Sequence, residues 1–430
     1  MRVRLALLLG GLSAFGPLSI DMYLPAFPEI AERLGTGQAQ VQLTLTAFMI
    51  GLAAGQAVFG PLSDAYGRRA PLLAGLIGYA AASLLCAIAP SVFTLVGLRF
   101  AQGVSAAAGV VIARAAVRDL FTGPAMARFL SMLMLVSGLA PILAPVIGAQ
   151  VLRWSTWSGV FVVLAYFGVA LLVAAAVCLR ETLPPQRRRP ADPRGIMRTY
   201  ARVATDRTFV AYTTSIGFVS AAMFAYIAGS PFVLQELHGL TPQQYSFVFG
   251  ANALGLMVFT QLNRLLLRWF SPRALLAAGL VLSALAGGGV LAAALLELPL
   301  AYLLPPMFLV VASLGVVNPN ATALAMADHG SRAGTASALL GLVQFLIGGL
   351  AAPLVGIGDS ASAVPMAAVI AAMSGAGLLS FAVLRPTKRR PGRYVLQSRT
   401  ERFDPVGSQE TVRIAPVQPG RRRFPGRSRN

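Results

Sequence analysis

Two side chains could do chemistry because of where they stand. Asp21 and Arg99 are ionisable groups set inside long apolar runs, away from the run ends. Ionisable groups in such places are costly and mark function by default. A carboxylate there changes its proton affinity with its access to water and with nearby charge. It can therefore exchange a proton for a cargo, whereas a guanidinium stays charged and can only tune it. Asp21 is read as the proton site, tuned by Arg99. A second set, Gly60, Asp64, Gly67, Arg68 and Arg69, lies in a short polar turn between two apolar runs. Asp64 falls near the carboxyl end of its helix, where the dipole disfavours negative charge, so it needs Arg68 one turn away. Such a patch belongs at a membrane surface.

The elements that must position these groups are long apolar helices. The chain has 430 residues, of which 56% are hydrophobic and 12% charged. Runs long enough to cross the hydrocarbon core fall near 5–27, 41–62, 71–90, 92–114, 129–151 and 156–179. After a polar connection come runs near 209–234, 244–267, 273–295, 299–323, 334–357 and 361–384. The expected fold is an all-α polytopic membrane protein of twelve transmembrane helices in two six-helix, pseudo-symmetric halves. Arg68, Arg69, Arg118, Arg128, the Arg180–Arg207 segment, Arg264, Arg268, Arg273 and Arg332 fall in one set of connections. Only Arg33 and Arg153 fall in the other, so the positive-inside rule puts both termini in the cytoplasm. Asp21 and Arg99 then lie at similar depth, roughly 8–10 Å below the outer surface, where they could face one cavity.

The halves echo each other. At a constant offset of 204, Gly51 matches Gly255, Arg69 matches Arg273 and Gly75-Leu76 matches Gly279-Leu280. A second echo, Ala144-Pro145 to Gly148 against Ala352-Pro353 to Gly356, falls at an offset of 208. Paired halves with a site between them near the midplane are a transporter architecture. The expected organisation is a first half at 1–180, a basic cytoplasmic linker at 181–207, a second half at 208–384 and a disordered basic tail at 385–430.

Several function classes are excluded. The net charge of +20 would suggest nucleic acid, but 13 basic residues lie after Leu384 and 8 between Arg180 and Arg207, leaving the spans nearly bare. Cys86 and Cys178 give no disulfide framework or metal spacing, and nothing clusters around His238 or His329. An intramembrane enzyme lacks its nucleophile–base pair, so no catalytic residue and no metal site is expected. No phosphate-cradling Gly-x-x-x-x-Gly-Lys motif occurs, and the only lysine is Lys388, which excludes ATP-driven pumping by this chain alone. The N-terminal run continues past Gly16-Pro17 without a small-residue cleavage site and is read as an uncleaved first helix.

Gly60-x-Leu62-x-Asp64-x-x-Gly67-Arg68-Arg69, between the second and third runs, resembles the signature loop of the major facilitator superfamily. Leu98-Arg99-Phe100-x-Gln102-Gly103 resembles the motif of its proton-coupled members. Gly138-Leu139-Ala140-Pro141 with Ala144, Pro145 and Gly148 is similar to its antiporter motif, with Ala140 where glycine is usual. Ile20–Ala26, Arg114-x-x-x-Arg118-Asp119, Arg180–Leu183 and Ser230–Glu236 are similar to the bicyclomycin-resistance and chloramphenicol/florfenicol efflux subfamily. The second-half counterpart of the signature loop has Arg268 for Asp64 and Ser271 for Gly67, so a latch of Gly60, Asp64, Gly67, Arg68, Arg69, Arg118 and Asp119 rests on the first copy.

The resemblance implies a bacterial inner-membrane exporter of amphiphilic drugs by proton antiport. It needs no cofactor beyond the proton gradient, and its partners are cargo, protons and lipid rather than nucleic acid; a monomer is expected. The alternative in the same fold is a transporter of metabolites such as amino acids or nucleosides, which a cavity lined by several charges would favour. Tyr23, Gln102, Phe224, Tyr226, Phe232, Asn318, Asn320 and Gln344 are the expected cavity side chains. The small residues of the fifth run allow close helix approach that can rearrange.

Overall fold

The computed structural model describes residues 2–188, 198, 201–327, 333–356 and 362–384. Residues 189–197 of the basic connection, His329, Arg332 and the tail from Arg385 lie outside the described residues. The first crossing is broken into α1 (Arg2–Ser13), α2 (Phe15–Asp21), a 3-10 turn (Leu24–Ala26) and α3 (Phe27–Arg33), with a 44° bend after Ser13. Pro17 explains the break: it has no N–H for the Ser13 carbonyl and its ring crowds that carbonyl. The Ser137 hydroxyl lies 3.5 Å from the carbonyl so freed.

The remaining helices are α4 (Gln38–Tyr66), α5 (Arg69–Ala87), α6 (Val92–Leu120), α7 (Gly123–Val151), α8 (Trp157–Cys178), α9 (Arg207–Pro231), α10 (Pro242–Leu266), α11 (Pro272–Leu295), α12 (Leu300–Met326), α13 (Ala333–Ala351) and α14 (Val364–Leu384). Eleven are long and apolar enough to cross a membrane, and the bent first crossing makes up to twelve. The apolar runs thus located the crossings, though not the break in the first. α7 is one continuous helix through Pro141 and Pro145. α9 instead passes at Pro231 into a π-helical turn, Phe232–Leu237.

The helices meet through residues that lack a side chain. A Cβ on Gly51 of α4 would sit 2.2 Å from the Phe100 carbonyl oxygen, and one on Gly103 of α6 would sit 2.2 Å from that of Phe48. The α10–α12 contact repeats this, with Gly255 against Phe308 and Gly315 against the Leu256 carbonyl. Gly75 abuts Ala108 of α6 just as Gly279 abuts Val317 of α12, so the sequence echo marks equivalent packing positions. Large apolar side chains such as Ile77, Phe93, Tyr166, Leu285 and Leu379 are exposed on the outside of the bundle, as a lipid-facing belt requires.

Close backbone approach makes a prediction. Gly103→Val should destabilise by about 1–3 kcal/mol through overpacking. Gly97→Ala, on the same helix with no atom within 4 Å of the new Cβ, should not. Thermal unfolding in detergent compares the two.

Candidate functional site

The break in the first crossing decides where Asp21 points. Asp21 ends α2, is 4% exposed and lines a cavity of about 850 Å³ between the two sets of helices. Among the described residues no hydrogen bond or ion pair engages its carboxylate. It lies near enough to Tyr226 and Tyr245, from the other half, to interact electrostatically with both phenols.

Arg99 is not in that cavity. Its side chain is fully buried, donating through Nη2 to the Ser19 carbonyl at 2.9 Å and through Nη1 to Gln102 Oε1. Gln102 in turn donates to Ser83 Oγ at 2.7 Å. The guanidinium carbon lies 4.2 Å from the Tyr23 ring centroid and 4.4 Å from that of Phe48, a cation–π arrangement. The expectation that Asp21 and Arg99 share a cavity is corrected. Their depths agree, but Arg99 holds the backbone at Ser19, and two helical residues rotate the chain by about 200°. Asp21 therefore faces away from the guanidinium.

Of the expected cavity side chains, Phe224, Tyr226 and Gln344 line it, together with Gly138 and Pro141 of the α7 motif. Five do not. Tyr23 covers Arg99 and its hydroxyl meets Thr44 Oγ1 at 3.2 Å, and Gln102 is spent on Arg99 and Ser83. Phe232 packs on Phe27, with centroids 5.9 Å apart, and Asn320 donates to Asn263 Oδ1 at 2.6 Å. Asn318 also lies outside the lining. Sequence reasoning missed Gln56, Arg114, Phe249, Asn252 and Phe345, which do line it. Gln56 and Asn252 were visible as amides inside apolar helices. Asn252 donates to the Tyr226 hydroxyl at 2.8 Å and fixes that ring at the cavity wall.

The cavity reaches Arg114 and Arg118 near the end of α6 that adjoins the Arg68 turn. The opposite end is closed by side chains of one half donating to carbonyls of the other. Gln42 donates to Ala228 O at 3.2 Å and Thr46 to Gly349 O at 2.9 Å. Reciprocally, Gln243 donates to Ala149 O and Ser246 to Pro145 O, both at 2.9 Å. Ala149 and Gly349 lie in the last turns of α7 and α13, where carbonyls lack intrahelical donors. Ala144 is fully buried, and a Cβ on Gly148 would fall 1.8 Å from the Met22 carbonyl oxygen.

At the arginine-rich end, Arg68 gathers the signature turn. Its Nε donates to Asp119 Oδ2 at 2.9 Å, and its Nη1 to Asp64 Oδ1 and to Ser63 Oγ. The backbone N–H groups of Arg68 and Arg69 donate to Glu181 at 2.8 and 3.2 Å, and Arg69 Nη2 donates to the Ala176 carbonyl. Gly67 takes φ +94°, a conformation side chains resist, and a Cβ there would lie 2.5 Å from Glu181 Oε2. Two expectations need correction. Arg118 turns into the cavity instead of joining this network, and Gly60 has no neighbour that requires a glycine. Glu181, quoted only within a motif, is the missed member. Every bond the turn makes among the described residues stays within the first half and the first residue of the linker, Glu181.

Burial pushes the Glu181 carboxyl up, but the N–H groups of Leu183, Arg68, Arg69 and Thr182 outweigh it and hold the group below its ordinary 4.5. A lowered folded-state value gives stability that is present above the unfolded value and lost as pH falls through the folded one. The wild-type unfolding midpoint should therefore fall more steeply than that of Glu181→Gln as pH drops below 4.5. Thermal unfolding across that window measures it.

The chain matches the Major Facilitator Superfamily model over residues 9–353. It is 41% identical over 393 residues to an uncharacterized MFS-type transporter, YdgK, of Bacillus subtilis, covering 91% of this chain and 97% of the relative. It is 31% identical over 360 residues to a bicyclomycin resistance protein homolog of Haemophilus influenzae, covering 84% and 90%. A chloramphenicol resistance protein of Pseudomonas aeruginosa is 32% identical over 357 residues, covering 80% of each. Among solved structures, a bacterial homolog of the human lysosomal transporter Spinster, inward-facing and occupied, superposes with a TM-score of 0.69 at 16% identity, covering 89% of this chain and 94% of that one. An all-helical bundle with a cavity between its halves, matched along most of its length, belongs to the Major Facilitator Superfamily of secondary transporters.

Proposed function

We propose that this transporter exports amphiphilic, drug-like molecules from the cytoplasm of a bacterium in exchange for protons. The observation that carries the reading is Asp21, a carboxylate facing the cavity with no hydrogen-bond or ion-pair partner among the described residues. Such a group is free to trade a proton for cargo as its surroundings alternate. A cavity of about 850 Å³ is of drug-sized capacity, and its wall of Phe224, Phe249, Phe345 and Tyr226 suits flat apolar bodies. The relatives named for bicyclomycin and chloramphenicol resistance support the same cargo class.

In this reading the six-helix units at 1–180 and 208–384 rock about the cavity, and the linker, both termini and the arginine-rich end are cytoplasmic, as the distribution of arginines requires. The Arg68 network braces the first half while the two halves separate. Arg114 and Arg118 at the cavity favour a second reading, transport of a charged metabolite. A susceptibility panel of diverse antibiotics in an efflux-deficient bacterium separates the two. Broad protection supports drug export, and none supports a metabolite.

Asp21→Asn should abolish pH-gradient-driven export while leaving cargo binding. In everted vesicles the pH-gradient-driven rate should fall to that of vesicles without the transporter. A variant that pumps normally under a pH gradient would remove Asp21 from this role.

A further inference from the structure

We infer that Arg114 and Arg118 form an anion-recognition subsite at the cavity mouth, and that the preferred cargo is an amphiphile carrying a negative charge. This rests on the reading of the chain as an exporter of amphiphiles and specifies its substrate class.

The two arginines are four residues apart on α6, hence on one face, and both line the cavity. Like charges at that spacing repel. Their place in the last two turns of α6 explains why the fold tolerates them, since a helix carboxyl end favours cations. It does not explain why they face the cavity.

Among the described residues neither has a hydrogen-bond or ion-pair partner. The nearby acids are already engaged: Asp64 and Asp119 by the Arg68 side chain, and Glu181 by the Arg68 and Arg69 backbone. Two guanidiniums on one helix face at the cavity mouth, with no partner among the described residues, attract an anion. Their planar forks match a carboxylate, sulfonate or phosphate.

Asp21 lines the same cavity, well away from the two arginines. Gly109 of α6 lies against Phe15 and the Leu12 carbonyl, which sets the register between α6 and the first crossing. Counting along both chains from there puts Asp21 and Arg114 about 20 Å apart along the bundle. An anionic amphiphile would therefore lie with its charge at the mouth, its rings on Phe224, Phe249 and Phe345, and its apolar end toward Asp21.

The test uses a matched pair of fluorescent probes, anilinonaphthalene sulfonate and phenylnaphthylamine, which share rings and differ by the sulfonate. With purified full-length protein in a zwitterionic detergent, the sulfonate should bind more tightly than the amine. Arg114→Gln with Arg118→Gln should weaken the sulfonate by about tenfold or more, as loss of charge-assisted hydrogen bonds does, and collapse the ratio of the two affinities. The paired Arg→Lys variant should keep the ratio, and unfolding midpoints confirm that the variants fold. Equal binding of the two probes by wild type, or a ratio unchanged in the glutamine variant, overturns the subsite. A lipid phosphate at the same arginines is the rival occupant. If phosphatidylglycerol added at low mole fraction abolishes the wild-type preference, the site belongs to lipid and the cargo assignment is wrong. Proton-driven movement of the amine without preference for the sulfonate leaves the exporter reading intact and overturns only this proposal. Movement of neither probe overturns the exporter reading itself.

Discussion

A buried guanidinium without a counter-carboxylate is the constraint on which the site depends. Arg99 is fully enclosed, and among the described residues its partners are the Ser19 carbonyl, an amide and aromatic faces. Charges in such surroundings persist only when dipoles and π-faces take the place of water. The bond from Arg99 Nη2 to the Ser19 carbonyl fixes the side of the broken first crossing that α6 can touch. The proline that breaks the crossing and the arginine that clamps it thereby leave Asp21 on the opposite face, in the cavity. Among the described residues the cavity carboxylate has no partner, and Arg99 is committed to the Ser19 carbonyl and to Gln102.

Duplication supplies the frame, and departures from it supply the direction. Glycine contacts repeat between α4–α6 and α10–α12, and the closing hydrogen bonds run reciprocally from α4 to the second half and from α10 to the first. Several acceptors are carbonyls left over at helix ends, which any nearby donor can use without disturbing a helix. Such a closure is polar, shallow and separable. The arginine-rich end is different: only the first half retains the Asp64–Arg68 turn, and among the described residues its bonds reach no further than that half and Glu181 at the start of the linker. The turn therefore acts as a brace within one half, and the hydrogen bonds between halves at the far end hold the state described here.

Much of this was legible in the sequence. Apolar length located the crossings, the spacing of Asp64 and Arg68 announced their pair, and the echo at a constant offset marked equivalent packing glycines. That Asp21 and Arg99 lie at one level along the bundle was legible too. Which face each occupies was not legible, because that depends on a bend at Pro17 and on Arg99 choosing a carbonyl over a carboxylate. Tyr23 and Gln102 were misassigned for the same reason: they serve the arginine instead of the cargo. Glu181 was hidden because its role is to accept backbone N–H groups, and that demand leaves no pattern in residue spacing. Arg114 was visible as a charge but not as a cavity wall, since helical spacing fixes a face only once the neighbour of that face is known.

The central claim is that cargo and proton compete through Asp21. The most direct measurement adds a saturating amphiphile, phenylnaphthylamine, to detergent-solubilised protein in weak buffer and reads proton release with a pH dye. Wild type should release protons on binding, and Asp21→Asn, which still binds the dye, should release none. Equal release by both would contradict the account.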